Sequence, residues 1–217
     1  GDSWSITVLN GADGTPLGIV HAVLDDRDGN LWVATESGVC RRSRGRLETL
    51  STAQGLSNDV VLSLLEDTEG SLWIGTQDGG LDRLADGSFV TYGAREGLAA
   101  DIASPIYEDR EGNLWIGTRG GGVSRYRDGR FTSFGPKEGL PDTYVQSFVQ
   151  DAKGTLWIGT RSSGLVAWDG QRFSAPKGTE SLPGRSVRAL CAARDGSLWI
   201  GMSHAGIARL KDGVVTT

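Results

Sequence analysis

The chain has 217 residues, 38% hydrophobic and 23% charged, an ordinary balance for a globular fold with one sizeable core or two small ones. A net charge of −5 argues against the basic face that nucleic-acid binding requires, and no run of 18 apolar residues is present to cross a membrane as a helix. Glycine is the outlier at 33 residues, about twice ordinary usage, and it is spread along the chain as the turns of an all-β fold would spread it.

The first predicted element is an extended segment at 4–9, "WSITVL", which aligns with "RFTSFG" at 130–135 and so reads as the outermost strand of a preceding or closing unit. The chain begins "GDSW" rather than with methionine and is read as an excerpt, so nothing about a leader follows. Then the repeats begin: "GNLWVAT" ends at Thr35, "GSLWIGT" at Thr76, "GNLWIGT" at Thr118, "GTLWIGT" at Thr160 and "GSLWIGM" at Met202. The tryptophans Trp32, Trp73, Trp115, Trp157 and Trp199 are spaced 41, 42, 42 and 42 residues apart. The second copy shows the unit in full: a strand "VVLSLLED", the turn "TEG", the strand "SLWIGT", a glycine turn at Asp78–Gly80, the strand "LDRL", the turn "ADG" and the strand "SFVTY". Four short strands per period of about 42 residues, each bounded by Gly, Asp or Asn, is the pattern of a β-propeller blade. The chain ends in "VVTT" at 214–217, aligned with the start of a fifth outer strand.

Within the unit the tryptophan is expected to fill the space between neighbouring blades. Asp26, Asp67, Asp109 and Asp151, six residues before their tryptophans, are expected to tie down the first hairpin, with Gly29, Gly70, Gly112, Gly154 and Gly196 at positive φ; the fifth copy departs, with Ala193 in the aspartate position and Asp195 nearby. The pairs Gly79–Gly80 and Gly121–Gly122 turn the second hairpin. Cys40 and Cys191 show neither a disulfide framework nor metal spacing and read as small core residues.

The string "GLSNDVVLSLLEDTEGSLWIGTQDGGLDRL", with "GLAADIASPIYEDREGNLWIGTRGGGVSRY" and "GLPDTYVQSFVQDAKGTLWIGTRSSGLVAW", closely resembles the two-component regulator propeller repeat: G-L-x-x-x-x-V, then E-D-x-x-G-x-L-W-I-G-T, then G-G-L. The resemblance covers essentially the whole chain. It implies that residues 1–217 are one propeller array, five four-stranded blades of a larger propeller of about seven blades or a double one; a five-blade ring closed by residues 4–9 is the alternative. It further implies an extracytoplasmic, periplasmic sensor segment of a bacterial histidine kinase, hybrid kinase or diguanylate-cyclase-type regulator, which forms a homodimer in its parent receptor, with no cofactor and no membrane contact of its own.

In such an array the framework repeats and the site does not, so the varying positions are informative. Eleven residues before each tryptophan stand His21, Leu62, Ser104, Gln146 and Arg188, a mostly polar column inside an apolar innermost strand. The loop between second and third strands varies as Glu36, Gln77, Arg119, Arg161 and Ser203, followed by Ser37, Asp78, Gly120, Ser162 and His204. The candidate ligand-binding set is therefore His21, Ser104, Gln146, Arg188, Glu36, Gln77, Asp78, Arg119, Arg161 and His204. It forms a polar mouth for a small polar or carbohydrate-like ligand, or a protein partner, with the arginines as anion or sugar-acid contacts. No residue is assigned a catalytic or metal-binding role. A protein-interaction scaffold is the first alternative. The second is an enzyme like the streptogramin lyases, which the D-x-x-G-x-x-W turn distantly resembles; there Glu36 with His21 or His204 would supply the chemistry. The stretch "GTRGGGVSR" at 117–125 lacks the following helix that a phosphate loop needs and reads as a hairpin.

Overall fold

Each unit is set up by the carboxylate of its first turn. In the second copy Asp67 N donates to Ser71 O at 3.0 Å, Gly70 sits at φ 89°, and Asp67 Oδ1 accepts from Glu69 N and Ser71 N at 3.0 and 2.8 Å, closing the hairpin locally. The other oxygen, Oδ2, accepts from Trp73 Nε1 at 2.7 Å. The same aspartate–indole bond recurs at 2.8 Å for Asp26–Trp32, 2.7 Å for Asp109–Trp115 and 2.9 Å for Asp151–Trp157. One carboxylate thus fixes both the turn and the orientation of the largest core side chain.

The computed structural model describes residues 8–11, 14–182 and 185–217. These fold into five antiparallel sheets of four strands, each in simple meander order. In the third blade the strands are Ala103–Glu108, Leu114–Thr118, Val123–Arg127 and Arg130–Phe134. The innermost strands, Val20–Asp25, Val61–Glu66, Ala103–Glu108, Val145–Gln150 and Val187–Ala192, lie side by side in chain order. This is the propeller architecture expected from the repeat. The segment expected as an outer strand at 4–9 lies outside the described residues up to position 7; Val8 and Leu9 are not in a strand, and Asn10 forms an isolated bridge with Pro16.

One element was not anticipated. Single-turn 3-10 helices, Thr52–Gln54, Ala94–Glu96, Pro136–Glu138 and Thr179–Ser181, join each outer strand to the next blade. In the first three a glycine at positive φ (Gly55, Gly97, Gly139) ends the turn, and the next residue, Leu56, Leu98 or Leu140, is buried. That is the physical content of the G-L pair in the repeat.

Every blade joins the next through the same interface. Trp32 packs with Leu72 and Ile74 of the second blade, Trp73 with Leu114 and Ile116 of the third, Trp115 with Leu156 and Ile158 of the fourth, and Trp157 against Leu198 and Ile200 of the fifth. The glycine of W-I-G-T lets the strands approach: a Cβ on Gly75 would lie 2.2 Å from the Ala103 carbonyl oxygen of the next blade, and one on Gly159 2.7 Å from that of Val187. Hairpin tips add a clamp. Arg27 N and Nε reach Glu66 at 2.9 and 2.8 Å, Thr68 N and Oγ1 reach Glu108 at 2.9 and 2.7 Å, and Arg110 N reaches Gln150 Oε1 at 3.0 Å. The fourth and fifth blades have Ala152 and Ala192 in these two places, and a cavity of about 330 Å³ opens there.

Among the described residues, no strand covers either end of the array. Val20 is 47% exposed where its counterparts Val61, Ala103, Val145 and Val187 are at most 3% exposed, and Trp199 is 44% exposed where Trp73 and Trp115 are at most 2%. Cys191, expected in the core, is exposed because it lies on this uncovered face, whereas Cys40 is buried as expected.

Candidate functional site

The mouth is built by one repeated backbone tether. The residue after the second strand donates its N–H to the carbonyl just before the innermost strand: Gln77 to Val60, Arg119 to Ile102, Arg161 to Tyr144 and Ser203 to Ser186, at 3.0, 3.2, 3.0 and 2.9 Å. Each variable loop side chain is thereby fixed beside the start of its own innermost strand, at one end of the array.

Over the third, fourth and fifth blades these positions enclose a cavity of about 450 Å³ lined by Ser104, Arg119, Tyr144, Val145, Gln146, Arg161, Ser186 and Arg188. Five of the ten sequence-predicted site residues therefore meet: Ser104, Gln146, Arg188, Arg119 and Arg161. The other five do not line it. In the second blade the column residue is Leu62, which is buried, while Gln77 and Asp78 stand exposed outside the cavity. On the first blade His21 Nε2 and Glu36 Oε1 lie 3.9 Å apart, beyond hydrogen-bonding distance. His204 is exposed at φ 62° in the turn of the fifth blade. Among the described residues, no group of three or more His, Cys, Asp or Glu side chains converges as a metal would need, and no helix is long and apolar enough to cross a membrane.

The three arginines are held in different ways. Arg188 Nε donates to Ser203 Oγ at 2.9 Å, which fixes the near edge of its guanidinium and leaves the terminal nitrogens to the cavity. The Arg161 guanidinium lies over the Tyr144 ring, 5.1 Å from its centroid. The Arg119 side chain is exposed on the rim.

Gln146 is a joint rather than a free contact. Either orientation of its amide bonds Ser186 Oγ at 3.0 Å, and with the nitrogen on that side it also reaches the Val187 and Thr160 carbonyls, both at 3.2 Å, so it ties the fourth blade to the fifth. Ser186 Oγ in turn donates to Ser203 Oγ at 3.3 Å, and Arg188 completes the chain.

Sequence reasoning missed Tyr144, Ser186 and Asp142. Asp142 is buried; its Oδ2 accepts from Ser162 N and Oγ, both at 2.7 Å, and its Oδ1 from Tyr144 N at 2.9 Å. Burial would push its carboxyl up, but these hydrogen bonds outweigh it and hold the pKa below the ordinary carboxylate value. Asp142 thus sets the loop that carries Tyr144 and the neighbour of Arg161. Its signal in the sequence was a departure from the repeat: "GLPDTYV" stands where the third copy has "GLAADIA".

Comparison with known proteins places these features in a family. The two-component regulator propeller family model matches five segments, 14–37, 55–78, 97–120, 139–162 and 181–204, together more than half of the chain. No curated protein matches it. Among solved structures, the extracellular domain of the hybrid two-component system BT3049 from B. thetaiotaomicron is similar, with 23% identity and a TM-score of 0.82 over 95% of this chain and 29% of that one. The corresponding domain of BT4673 from the same organism gives 22% identity and a TM-score of 0.76 over 91% and 30%. Virginiamycin B lyase from Staphylococcus aureus gives 17% and 0.75 over 96% and 71%. At these identities the likeness establishes the fold. The chain spans about three-tenths of the length of these two extracellular domains.

Proposed function

The chain belongs to the two-component regulator propeller family, and on that footing we propose that it is a non-catalytic sensor segment of a bacterial signalling receptor, binding a small polar or saccharide-like ligand in the mouth over its third to fifth blades. The observation that carries this reading is the coincidence of variation and geometry. On the third to fifth blades, positions that change from copy to copy inside an otherwise fixed repeat (Ser104, Arg119, Gln146, Arg161 and Arg188) line the 450 Å³ cavity, a volume suited to a small molecule. The similarity to extracellular domains of two-component systems supports an extracytoplasmic setting and a parent receptor. Against an interaction scaffold stands the character of the mouth: Tyr144 is its one exposed aromatic side chain and the rest of its exposed lining is polar, while Val20, Val23, Trp199 and Ile207 lie exposed on the two terminal blades. Against a lyase stands the placement of His21, Glu36 and His204 outside the cavity.

Isothermal titration of the chain with a panel of mono- and oligosaccharides and small polar metabolites tests the reading. Ligands that bind the parent chain are expected to lose at least tenfold in affinity to Arg161→Ala with Arg188→Ala, with circular dichroism unchanged. Unchanged affinity in that double variant refutes the site. Gln146 is unsuitable as a probe because removing it also loosens the joint between two blades.

A further inference from the structure

The mouth carries three positive charges and no acidic lining residue, and the carboxylate of the adjoining loop, Asp142, is taken up in hydrogen bonds from Tyr144 N and from Ser162 N and Oγ. Among the described residues Arg119, Arg161 and Arg188 form no ion pair, although the protein as a whole is negatively charged. Other arginines there also lack an ion pair, Arg42, Arg95 and Arg130 among them, so what sets the mouth apart is that three such guanidiniums converge on one cavity. Uncompensated like charges around one cavity raise its potential, and an aqueous opening lined by such groups concentrates anions.

Two of the three guanidiniums are also pre-set. Arg188 is anchored through Nε, so its two terminal nitrogens form an outward fork, and Arg161 is stacked on Tyr144, whose loop is fixed by Asp142. A planar fork of this kind matches a carboxylate or sulfate bidentately, and ordering it in advance reduces the entropy lost on binding. The neutral donors Ser104 and Ser186 line the same space.

We propose that the ligand of this mouth is a small molecule carrying two or more anionic groups, one engaged by Arg188 on the fifth blade and another by Arg161 and Arg119 on the fourth and third. The inference rests on the ligand-binding reading above and narrows it from polar to polyanionic. A single anion would leave one or more guanidiniums unmatched across a cavity of 450 Å³. Because the arginines are exposed, one contact alone is weak, and affinity comes from engaging several at once.

The probes are digalacturonate, with two carboxylates, and galactobiose, its neutral counterpart, together with citrate and inorganic sulfate, all titrated calorimetrically against the chain at constant ionic strength. Expected results are binding of digalacturonate or citrate, weaker binding of sulfate and none of galactobiose, with affinity falling between 50 and about 300 mM salt. Arg161→Gln and Arg188→Gln should each weaken the anion by about tenfold or more, Arg161→Lys by less, and Arg130→Gln on the outer hairpin of the third blade not at all. Galactobiose binding as tightly as digalacturonate, through the same arginines, would overturn the polyanion proposal and leave the ligand-binding reading standing. Failure of all three anions to bind overturns the proposal; if the wider ligand panel is also silent, the ligand-binding reading falls with it. Polycarboxylates bound without sulfate support the proposal, sulfate bound without either polycarboxylate overturns it, and binding insensitive to all arginine variants refutes the site.

Discussion

Replacing Asp109 by alanine removes the acceptor of four hydrogen bonds: Glu111 N at 3.0 Å, Asn113 N at 2.8 Å, Asn113 Nδ2 at 2.7 Å and Trp115 Nε1 at 2.7 Å. Glu111 is exposed and its amide can turn to water, but Trp115 is 1% exposed and Asn113 6%, so the indole and the Asn113 amide are left buried without partners. At about 1–3 kcal/mol per orphaned buried donor, the loss should be about 2–5 kcal/mol. The fifth blade is the internal control. It carries Ala193 in the same position, and its Trp199, 44% exposed, has solvent for a partner. Ala193→Asp should therefore change stability by no more than about 0.5 kcal/mol, in the range of an ordinary surface substitution. Urea unfolding followed by tryptophan fluorescence and far-ultraviolet circular dichroism measures both, the two probes together detecting any blade that melts separately. A loss below about 1 kcal/mol in Asp109→Ala, or a gain in Ala193→Asp equal to the loss in Asp109→Ala, would refute the account of the aspartate as a partner for a buried indole.

Close packing predicts a second asymmetry. Gly159→Ala, whose Cβ would lie 2.2 Å from Ser147 Oγ and 2.7 Å from the Val187 carbonyl, should cost about 1–3 kcal/mol or more, while Gly201→Ala, nearest Ala189 Cβ at 3.3 Å, should be close to neutral by urea midpoint. The uncovered faces of the first and fifth blades should make the isolated chain associate head to tail, and light scattering should show Trp199→Glu reducing the associated fraction. Asp142 has a depressed pKa, so the order it gives its loop is full above the unfolded carboxylate value near about 4 and is lost as pH falls below that. Hydrogen exchange at the Tyr144 and Ser162 amides, corrected for intrinsic rates, should rise between pH 5 and 3, and in Asp142→Asn it should be raised at every pH. Tyr144→Ala should weaken anion binding through loss of the Arg161 platform, whereas Tyr144→Phe should retain it, both read by titration with citrate.

The architecture was legible because its signals are local. A tryptophan every 42 residues, an aspartate six positions upstream and a glycine in the turn depend only on the hairpin that contains them, and all three act as the spacing implied. The site was half legible. Columns in the repeat pointed to Ser104, Arg119, Gln146, Arg161 and Arg188, which line one cavity, because the backbone tether puts the loop residues of the second to fifth blades at the same end. They could not distinguish blades that share a cavity from those that do not: Leu62 interrupts the polar column at the second blade, leaving Gln77, Asp78, His21 and Glu36 beyond it. Nor could they show that Gln146 spends its amide on the neighbouring blade, since its partners Ser186 and Val187 lie about one full repeat away. The exposure of Cys191 was equally hidden, because it follows from what flanks a blade rather than from the blade's own residues.

The joint between blades has a genetic corollary. Since each blade presents Trp to its successor and Leu and Ile to its predecessor, a tandem duplication of one 42-residue unit brings its own matching surfaces and needs no compensating change at either junction. Most mouth positions lie off those surfaces; Gln146 ties to Ser186 and Val187, and the loop at Arg119 and Gly120 bridges to Thr143 and Tyr144 of the next blade. A newly copied blade can therefore drift at its loop and column residues while its seams remain under constraint, and receptors of different ligand preference can arise by copying and diverging blades on an unchanged frame.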